Sequence, residues 1–346
     1  MHCVFHGIRF KVNFKDWVVV RQPFLFYTRF TMNTISSRLF ASAKNALPNA
    51  FKTIWWLLKL ILPISLLVSL LQYSGFIALI AQYLAPAFSL IGLPGESAIV
   101  FISSMFIPLY GSIAIISTLS LDMREITILA LMCLITHNLV VETAIQKKTG
   151  SSGVTMLLLR IFSSFIAAVI LNSLLPINMG GSELENTNVA VDTIGKVLHE
   201  WVIGSGWLTL KISVIIVTLM VLQNILKEFH IIDFLSKIFA PLMRIMGLSK
   251  NCSFLWLVAQ TLGLTYGSAI MLDAVDKKEI ELSNANFLNY HIAINHSLLE
   301  DTLLFVVIGV PALWIVVPRI FLAVVVVWMV RFTTWCFTKH LVSTNL

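Results

Sequence analysis

The stretch LMCLITHNLVVETAI, residues 131–145, carries the polar side chains His137, Asn138, Glu142 and Thr143 inside a strongly apolar run. A counterpart, IAINHSLLEDTLL, occupies residues 292–304. Alignment of His137 with His296 gives an offset of 159 residues, which also aligns Leu139 with Leu298, Glu142 with Asp301, Thr143 with Thr302, Gly150 with Gly309, and Arg160-Ile161-Phe162 with Arg319-Ile320-Phe321. Because chance rarely matches so many different residue types in one register, the sequence indicates an internal duplication.

Composition is typical of a membrane protein. Apolar residues make up 58% of the chain and charged residues only 12%, and the mean hydropathy is +0.89. Soluble domains rarely have such values. Lipid offers no partner for backbone polar groups, so long apolar runs predict helices rather than the short alternating strands of a barrel. The sequence therefore predicts an all-α polytopic membrane protein.

The duplication divides the chain into five parts. The first copy covers residues 53–175 and the second copy covers residues 207–335. A basic amphipathic lead-in (1–52), a polar linker (176–206) and a short tail (336–346) flank the two copies. Met32 would make a natural beginning, so we expect residues 1–31 to be an artefact of start-codon choice.

Each copy is predicted to contain the same order of segments. A spanning helix comes first (53–72 and 207–223), followed by an interfacial amphipathic helix (75–93 and 229–248), a broken segment (97–119 and 253–275) and two further spanning helices (126–146 with 153–175, and 286–308 with 312–335). Each final pair turns at a glycine, Gly150 or Gly309.

Helix-breaking residues lie at the centre of both broken segments. Pro108 precedes Tyr110-Gly111-Ser112 in the first copy, and Gly263 precedes Tyr266-Gly267-Ser268 in the second. Such a centre is either a kink in a spanning helix or the tip of a re-entrant hairpin whose backbone can face a ligand. Because Tyr-Gly-Ser recurs at the same place, we favour the hairpin tip.

Charge predicts the orientation. Three spanning helices per copy give an odd number of crossings, so the second copy is predicted to be inverted relative to the first. The loops then sort by charge: Lys147, Lys148, the segment 227–281, Arg331 and Lys339 fall on one side, and the acidic linker falls on the other. By the positive-inside rule, we expect a multi-pass protein of the cell inner membrane with both termini cytoplasmic. The net charge of +7 is explained in the same way and does not indicate nucleic acid.

Charged groups at membrane depth need a partner or a cavity, because each costs about 2.5–3.5 kcal/mol in lipid. One interpretation is structural: Glu142 with Arg160 and Asp301 with Arg319 are at similar depth and would form buried ion pairs. The other is functional, and it is stronger for the histidines, Asn138, Asn295 and Thr143, because packing alone does not require polar groups in both copies.

No metal site, cofactor or enzymatic activity is predicted. His296 and Glu300 are four residues apart and share a helix face, but His137 and Glu142 lie about 140° apart on a continuous helix, and no thiol is paired with either. The chain has no hydrolase elbow and no His-Glu-x-x-His motif, and GLPGES at 92–97 lacks the Lys-Ser/Thr of a P-loop.

Three segments resemble the Gate, or nucleoside-recognition, domain: IGLPGESAIVFISSMF (91–106), the Tyr-Gly-Ser element and LITHNLVVETAIQKKTG (134–150). This domain is shared by concentrative nucleoside transporters, the membrane part of ferrous iron transporter B, and spore maturation proteins A and B. The resemblance implies an inverted repeat that holds its substrate between hairpin tips and broken helices. It implies that Gly111-Ser112 and Gly267-Ser268 lie at the tips, and that Asn138, Glu142, Asn295 and Asp301 face the ligand.

We therefore expect a transporter-like protein that moves a small polar solute or ion by alternating access around a midplane site. The predicted substrate-binding residues are Tyr110, Gly111, Ser112, His137, Asn138, Glu142, Thr143, Tyr266, Gly267, Ser268, Asn295, His296, Asp301 and Thr302. The alternative is a non-transporting structural or regulatory subunit similar to the spore maturation proteins. Expected partners are the lipid bilayer, the solute or ion, and either further copies of the chain or a partner membrane subunit.

Overall fold

The computed structural model describes residues 32–179 and 193–344, and these residues form helices with no strand among them. Side chains are described throughout except at residues 32–34, 60, 265, 266, 269 and 337–344. The predictions for residues 1–31, for part of the linker (180–192) and for the last two residues lie outside the described residues. The predicted all-α class is confirmed for the described part of the chain.

The two halves of the chain repeat one order of helices. The first half consists of α1 (Met32–Tyr73), α2 (Phe76–Ser89), α3 (Ser97–Ser104), α4 (Leu109–Ile116), α5 (Met123–Thr136), α6 (Leu139–Lys148) and α7 (Gly153–Leu174). The second half consists of α8 (Ile194–Glu228), α9 (Ile231–Ile245), α10 (Ser253–Leu262), α11 (Leu264–Asp276), α12 (Leu282–Ile294), α13 (Leu298–Val306) and α14 (Ala312–Thr344), with a 3₁₀ turn at Lys250–Cys252 before α10.

Within residues 32–179 and 193–344, five stretches are long and apolar enough to cross a membrane: Ile35–Tyr73, Met123–Lys148, Gly153–Leu174, Ile194–Glu228 and Ala312–Cys336. The second of these combines α5 and α6. An α-helix rises 1.5 Å per residue, and about 20 residues are needed to cross the hydrocarbon core. The described residues therefore form a membrane protein with multiple candidate spans.

The first helix of each half is longer than the sequence indicated. Helix α1 is continuous from Met32, so the described part of the lead-in (32–52) and the first predicted span form one helix. Helix α8 begins at Ile194, inside the predicted linker. Gly204 and Gly206 do not end it, because an isolated glycine weakens a helix by only about 1 kcal/mol.

Helices α2 and α9 are too short to cross upright. They contain 14 and 15 residues and are therefore about 21–23 Å long. Helix α9 is amphipathic: Ile232 and Met243 are buried on one side, whereas the charged side chains of Asp233, Lys237 and Arg244 are exposed on another. Both helices match the order predicted for the interfacial segments.

Helices α10 and α11 form a hairpin rather than one kinked helix. A Cβ atom added to Gly267 would lie 3.0 Å from Ala259 Cβ, so these two residues are in contact. Eight residues along a continuous helix would be about 12 Å apart. The chain reverses at Gly263, whose φ is +85°. Helices α3 and α4 likewise pack against each other, and Pro108 precedes α4 with an extended backbone.

Helix α5 lies at the centre of the fold. All its residues from Ile126 to Thr136 are buried, and it packs against α3, α4, α7, α12 and α14. Its continuation α6, together with α12 and α13 of the second half, positions the polar residues that the sequence analysis identified.

Candidate functional site

Two broken helices contribute most of the site. Asn138 separates α5 from α6 with φ +48°, and Ser297 separates α12 from α13 with φ +46°. These left-handed residues are separated by the same 159 positions that relate the duplicated sequences. We call the Asn138 position the first break and the Ser297 position the second break. Each break leaves carbonyl groups without their usual helical donors.

A buried arginine satisfies those carbonyls in each copy. Arg160 donates from Nε to the carbonyl of Ile135 (2.6 Å) and from Nη2 to that of His137 (2.8 Å). Arg319 repeats the arrangement, with Nε 3.4 Å from the carbonyl of Ile294 and Nη2 2.6 Å from that of His296. Both arginines are fully buried. The arginines therefore stabilise the breaks, since each replaces two backbone donors.

The hairpins hold the breaks from the other side. The N–H of Asn138 donates to the carbonyl of Ser104 in α3 (2.9 Å), and the N–H of Ser297 donates to that of Ala259 in α10 (3.0 Å). Gln260 adds a 2.6 Å hydrogen bond from Nε2 to the carbonyl of Asn295. Each break is thus fixed by one arginine and one hairpin of its own copy.

The two histidines point the same ring atom toward the middle of the site. His137 Nδ1 lies 3.1 Å from the carbonyl of Cys133, and His296 Nδ1 lies 2.8 Å from that of Ile292. A carbonyl can only accept, so Nδ1 is the donor in both rings. The ring centroids are 5.1 Å apart, and both side chains are at least 94% buried. In each ring Nε2 therefore faces the acidic residues.

Glu142 joins the two copies. Its Oε2 lies 2.8 Å from Arg160 Nη1, while its Oε1 lies 3.5 Å from His137 Nε2 and 3.3 Å from His296 Nε2. The carboxylate therefore connects an arginine and a histidine of the first copy with a histidine of the second. Glu142 also lies in the first turn of α6, where the helix dipole favours a negative charge.

The second copy does not repeat the predicted ion pair. Within the described residues, Asp301 and Arg319 have no nitrogen–oxygen contact within 4 Å, and Asp301 Oδ2 instead lies 3.8 Å from His137 Nε2. The prediction failed here because equal depth in two antiparallel helices does not fix the direction of a short aspartate side chain. Aspartate is one methylene shorter than the glutamate at the equivalent position.

A cavity of about 160 Å³ opens where the hairpin ends meet the two breaks. Its lining residues are Pro108, Leu109, Tyr110, His137, Asn138, Glu142, Leu262, Gly263, Leu264, Ser297, Glu300 and Asp301. Both copies contribute a hairpin end and a broken helix. The cavity is smaller than the pockets of about 300–1,000 Å³ that hold drug-sized ligands.

Five predicted site residues line this cavity: Tyr110, His137, Asn138, Glu142 and Asp301. His296 lies directly behind the lining, in contact with Glu142. Glu300 also lines the cavity but was not among the predicted substrate-binding residues; its Oε1 accepts a 2.8 Å hydrogen bond from Tyr110 Oη. Glu300 aligns with Val141, so the repeat gave no signal for it.

The remaining predicted residues do not line the cavity. Gly111, Ser112, Thr143, Gly267, Ser268, Asn295 and Thr302 are all buried, and the side chain of Tyr266 lies outside the described residues. The Gly-Ser pairs are not the tips, because the chain turns at Pro108 and Gly263 and the Tyr-Gly-Ser elements already belong to α4 and α11. This corrects the predicted tip positions by about one helical turn.

His137, Glu142 and His296 form a group that could hold a metal ion. One ligand atom from each residue lies within 4.8 Å of the other two. A continuous helix through His137 and Glu142 would place these residues on different faces, which is why the sequence predicted no metal site. The break at Asn138 instead brings their side chains to within 3.5 Å.

Comparison with known proteins matches both copies to one family. Residues 54–175 and 209–323 match the sequence profile of the Gate family, described as nucleoside recognition. The chain is also 29% identical, over 289 residues, to the uncharacterized membrane protein YvoD of Bacillus subtilis (strain 168). That match covers 82% of this chain and 92% of the relative. No solved structure matches the chain.

Proposed function

Because this chain belongs to the Gate family of membrane proteins, we propose that it is a transporter-like protein that moves a small polar solute or ion across the membrane. The cargo would bind in the cavity between the two copies and reach either side by alternating access. The protein would need no chemistry on its cargo, so the proposal is of a carrier and not of an enzyme.

One observation carries this proposal. Two hairpin ends and two broken helices, one of each from either copy, meet at a single cavity lined by His137, Glu142 and Asp301. Secondary transporters commonly bind their cargo where unwound helices expose polar groups near the midplane. Charged residues are costly at that depth unless they serve a site or pair with each other.

The inverted repeat is part of the same proposal. If α12–α13 crosses the membrane as one broken helix, in addition to the five candidate spans, each copy would provide three spanning helices. The second copy would then be oriented opposite to the first. Both termini would then face the cytoplasm across the inner membrane, in agreement with the basic loops. Inversion supports alternating access, since the same rocking motion opens the site to opposite sides.

Thiol labelling of single cysteines tests this orientation. In a background without the four native cysteines, a cysteine at Lys148 should react only from the cytoplasmic side, and a cysteine at Ile177 should react only from the opposite side. Labelling of both positions from the same side would contradict the proposed topology.

The alternative is a structural or regulatory subunit. In that case the buried polar groups would only hold the two copies together, and the protein would act through a partner membrane protein. The cavity favours transport, because a purely structural network gains nothing from polar groups that border an open space.

Flux through proteoliposomes tests the proposed function. Purified protein is reconstituted and supplied in turn with nucleosides, divalent metal ions and organic anions. At least one of these solutes should enter faster than into protein-free liposomes, and the variant His137→Ala/His296→Ala should lose that flux. The exposed His199 of α8 provides the matched control, since His199→Ala should keep it.

Two results would contradict transport. Unchanged flux in the double histidine variant, with normal insertion, would show that the cargo does not pass this site. Absence of flux for every solute, together with co-purification of a stoichiometric membrane partner, would support the structural alternative instead.

A further inference from the structure

We propose that the site binds one divalent transition-metal ion through His137 Nε2, His296 Nε2 and Glu142 Oε1. The inference deepens the proposed function by naming the ligand class of the same site, and to that extent rests on it. It is carried by the tautomers of the two rings, the distances between the three atoms and the chemistry of the residues.

The tautomers of the two imidazole rings make both Nε2 atoms acceptors. Nδ1 of His137 and Nδ1 of His296 each donate to a backbone carbonyl, so a neutral ring has only a lone pair at Nε2. Both Nε2 atoms face Glu142 Oε1, which is also an acceptor. Three acceptors that converge repel one another unless a positive charge lies between them, either a metal ion or a proton on one of the imidazoles. Hydrogen bonds of this kind from Nδ1 to carbonyls are the usual support of metal-binding histidines.

The distances from Glu142 Oε1 to the two Nε2 atoms distinguish a metal site from a shared proton. A charge-assisted hydrogen bond between nitrogen and a carboxylate is about 2.7–2.9 Å long. The two contacts of Glu142 Oε1 measure 3.3 Å and 3.5 Å, and His296 Nε2 has no hydrogen-bond partner among the described residues. Tetrahedral ligands at 2.0–2.2 Å from zinc are separated by about 3.4 Å. The observed spacing therefore matches two edges of a metal site.

The residue types select the class of metal. Two imidazole nitrogens and one carboxylate oxygen suit zinc, cobalt, nickel or ferrous iron, whereas magnesium and calcium prefer oxygen ligands alone. Three protein ligands leave a fourth position open, as in sites that exchange a ligand. Asp301 Oδ2, 3.8 Å from His137 Nε2, is the nearest candidate for that position.

The second carboxylate oxygen of Glu142 fixes the orientation of this side chain. Glu142 Oε2 lies 2.8 Å from Arg160, which is itself fixed by two carbonyls of the first break. Only Oε1 is therefore directed at the imidazoles. Because Arg160 neutralises part of the carboxylate charge, we expect a metal that binds reversibly, as a carried ion requires.

The cavity gives the metal a route. Its lining includes His137, Glu142 and Asp301, while His296 lies behind them at 1% exposure. Glu300 is the least buried acidic residue of the lining, so a hydrated cation entering the cavity would meet it before the buried Asp301 and Glu142. It would then exchange water for the two imidazoles.

Metal binding by purified protein without an affinity tag tests the inference. The protein is equilibrated in detergent with Zn²⁺, and with Co²⁺ as a spectroscopic probe. We expect one ion per chain, visible absorption bands typical of four-coordinate Co²⁺ with nitrogen ligands, and a higher melting temperature with Zn²⁺. Mg²⁺ should cause no such shift.

Single variants assign the ligands. His137→Ala, His296→Ala and Glu142→Gln should each weaken Zn²⁺ binding at least 100-fold, while His199→Ala keeps the affinity of the unmodified protein. If an alanine variant does not fold, His296→Gln provides a side chain of similar size without the imidazole. Absence of stoichiometric binding, or binding that survives loss of both imidazoles, would overturn the inference.

Flux assays keep this failure separate from failure of the proposed function. Flux of another solute without Zn²⁺ binding would contradict the metal site and leave transport intact. Zn²⁺ binding at the assigned residues without flux of any solute would support the metal site and contradict transport.

Discussion

Arg160→Met lowers the free energy of unfolding by about 3–5 kcal/mol, the usual cost of removing one partner from a buried ion pair. The arginine is fully buried and holds three groups: the carbonyls of Ile135 and His137, and the carboxylate of Glu142. Methionine has a similar length but no donor. The variant therefore leaves a buried negative charge and two carbonyls without partners.

Two further arginine variants allow the loss of unfolding free energy to be compared with that of Arg160→Met. Arg319→Met should cost less, because Arg319 bonds two carbonyls but has no carboxylate within 4 Å among the described residues. Arg38→Met should cost at most about 1 kcal/mol, since its pair with Glu228 is exposed. Unfolding in mixed micelles measures all three. Equal losses for Arg160 and Arg38 would mean that the first break does not depend on the guanidinium.

Gly263→Ala has the second large effect, a loss of about 3 kcal/mol in the free energy of unfolding together with loss of flux. Gly263 has φ +85° and ψ 167°, a backbone conformation that essentially only glycine adopts. A Cβ atom there would also lie 3.3 Å from Ser297 Oγ, at the second break. The substitution therefore strains the hairpin end and displaces the cavity lining together.

Gly206→Ala is the matched control. A Cβ atom at Gly206, inside α8, meets nothing within 4 Å, so alanine should be neutral or stabilise the helix by up to about 1 kcal/mol. Thermal melting and flux of both variants compare the two glycines. If Gly263→Ala behaved like Gly206→Ala, the hairpin end would have no special backbone requirement.

The duplication made much of the fold and part of the site predictable. Polar residues are rare at membrane depth, so the repeat of His137, Glu142 and Arg160 as His296, Asp301 and Arg319 was a strong signal. The order of helices followed from the long apolar runs and from their repetition in the second copy. The proximity of the two histidines did not follow, since residues on different helices meet only in the folded chain.

The break at Asn138 limited the prediction most. Neither proline nor glycine marks it, and the run continues apolar on both sides. If residues 131–145 formed one helix, His137 and Glu142 would lie on different faces. The metal-binding geometry could therefore not be predicted from the sequence. Glu300 was left out of the predicted substrate-binding residues for a different reason: Val141 stands at the equivalent position of the first copy, so repetition gave Glu300 no support.

The two copies meet at one buried site, and the distance between the imidazoles of His137 and His296 in a lipid nanodisc measures this meeting most directly. A structure determined by electron cryomicroscopy with Zn²⁺ should show the two rings about as close as the 5.1 Å seen here, with one density between them and Glu142. Rings that face separate surfaces, with no shared neighbour, would contradict the account.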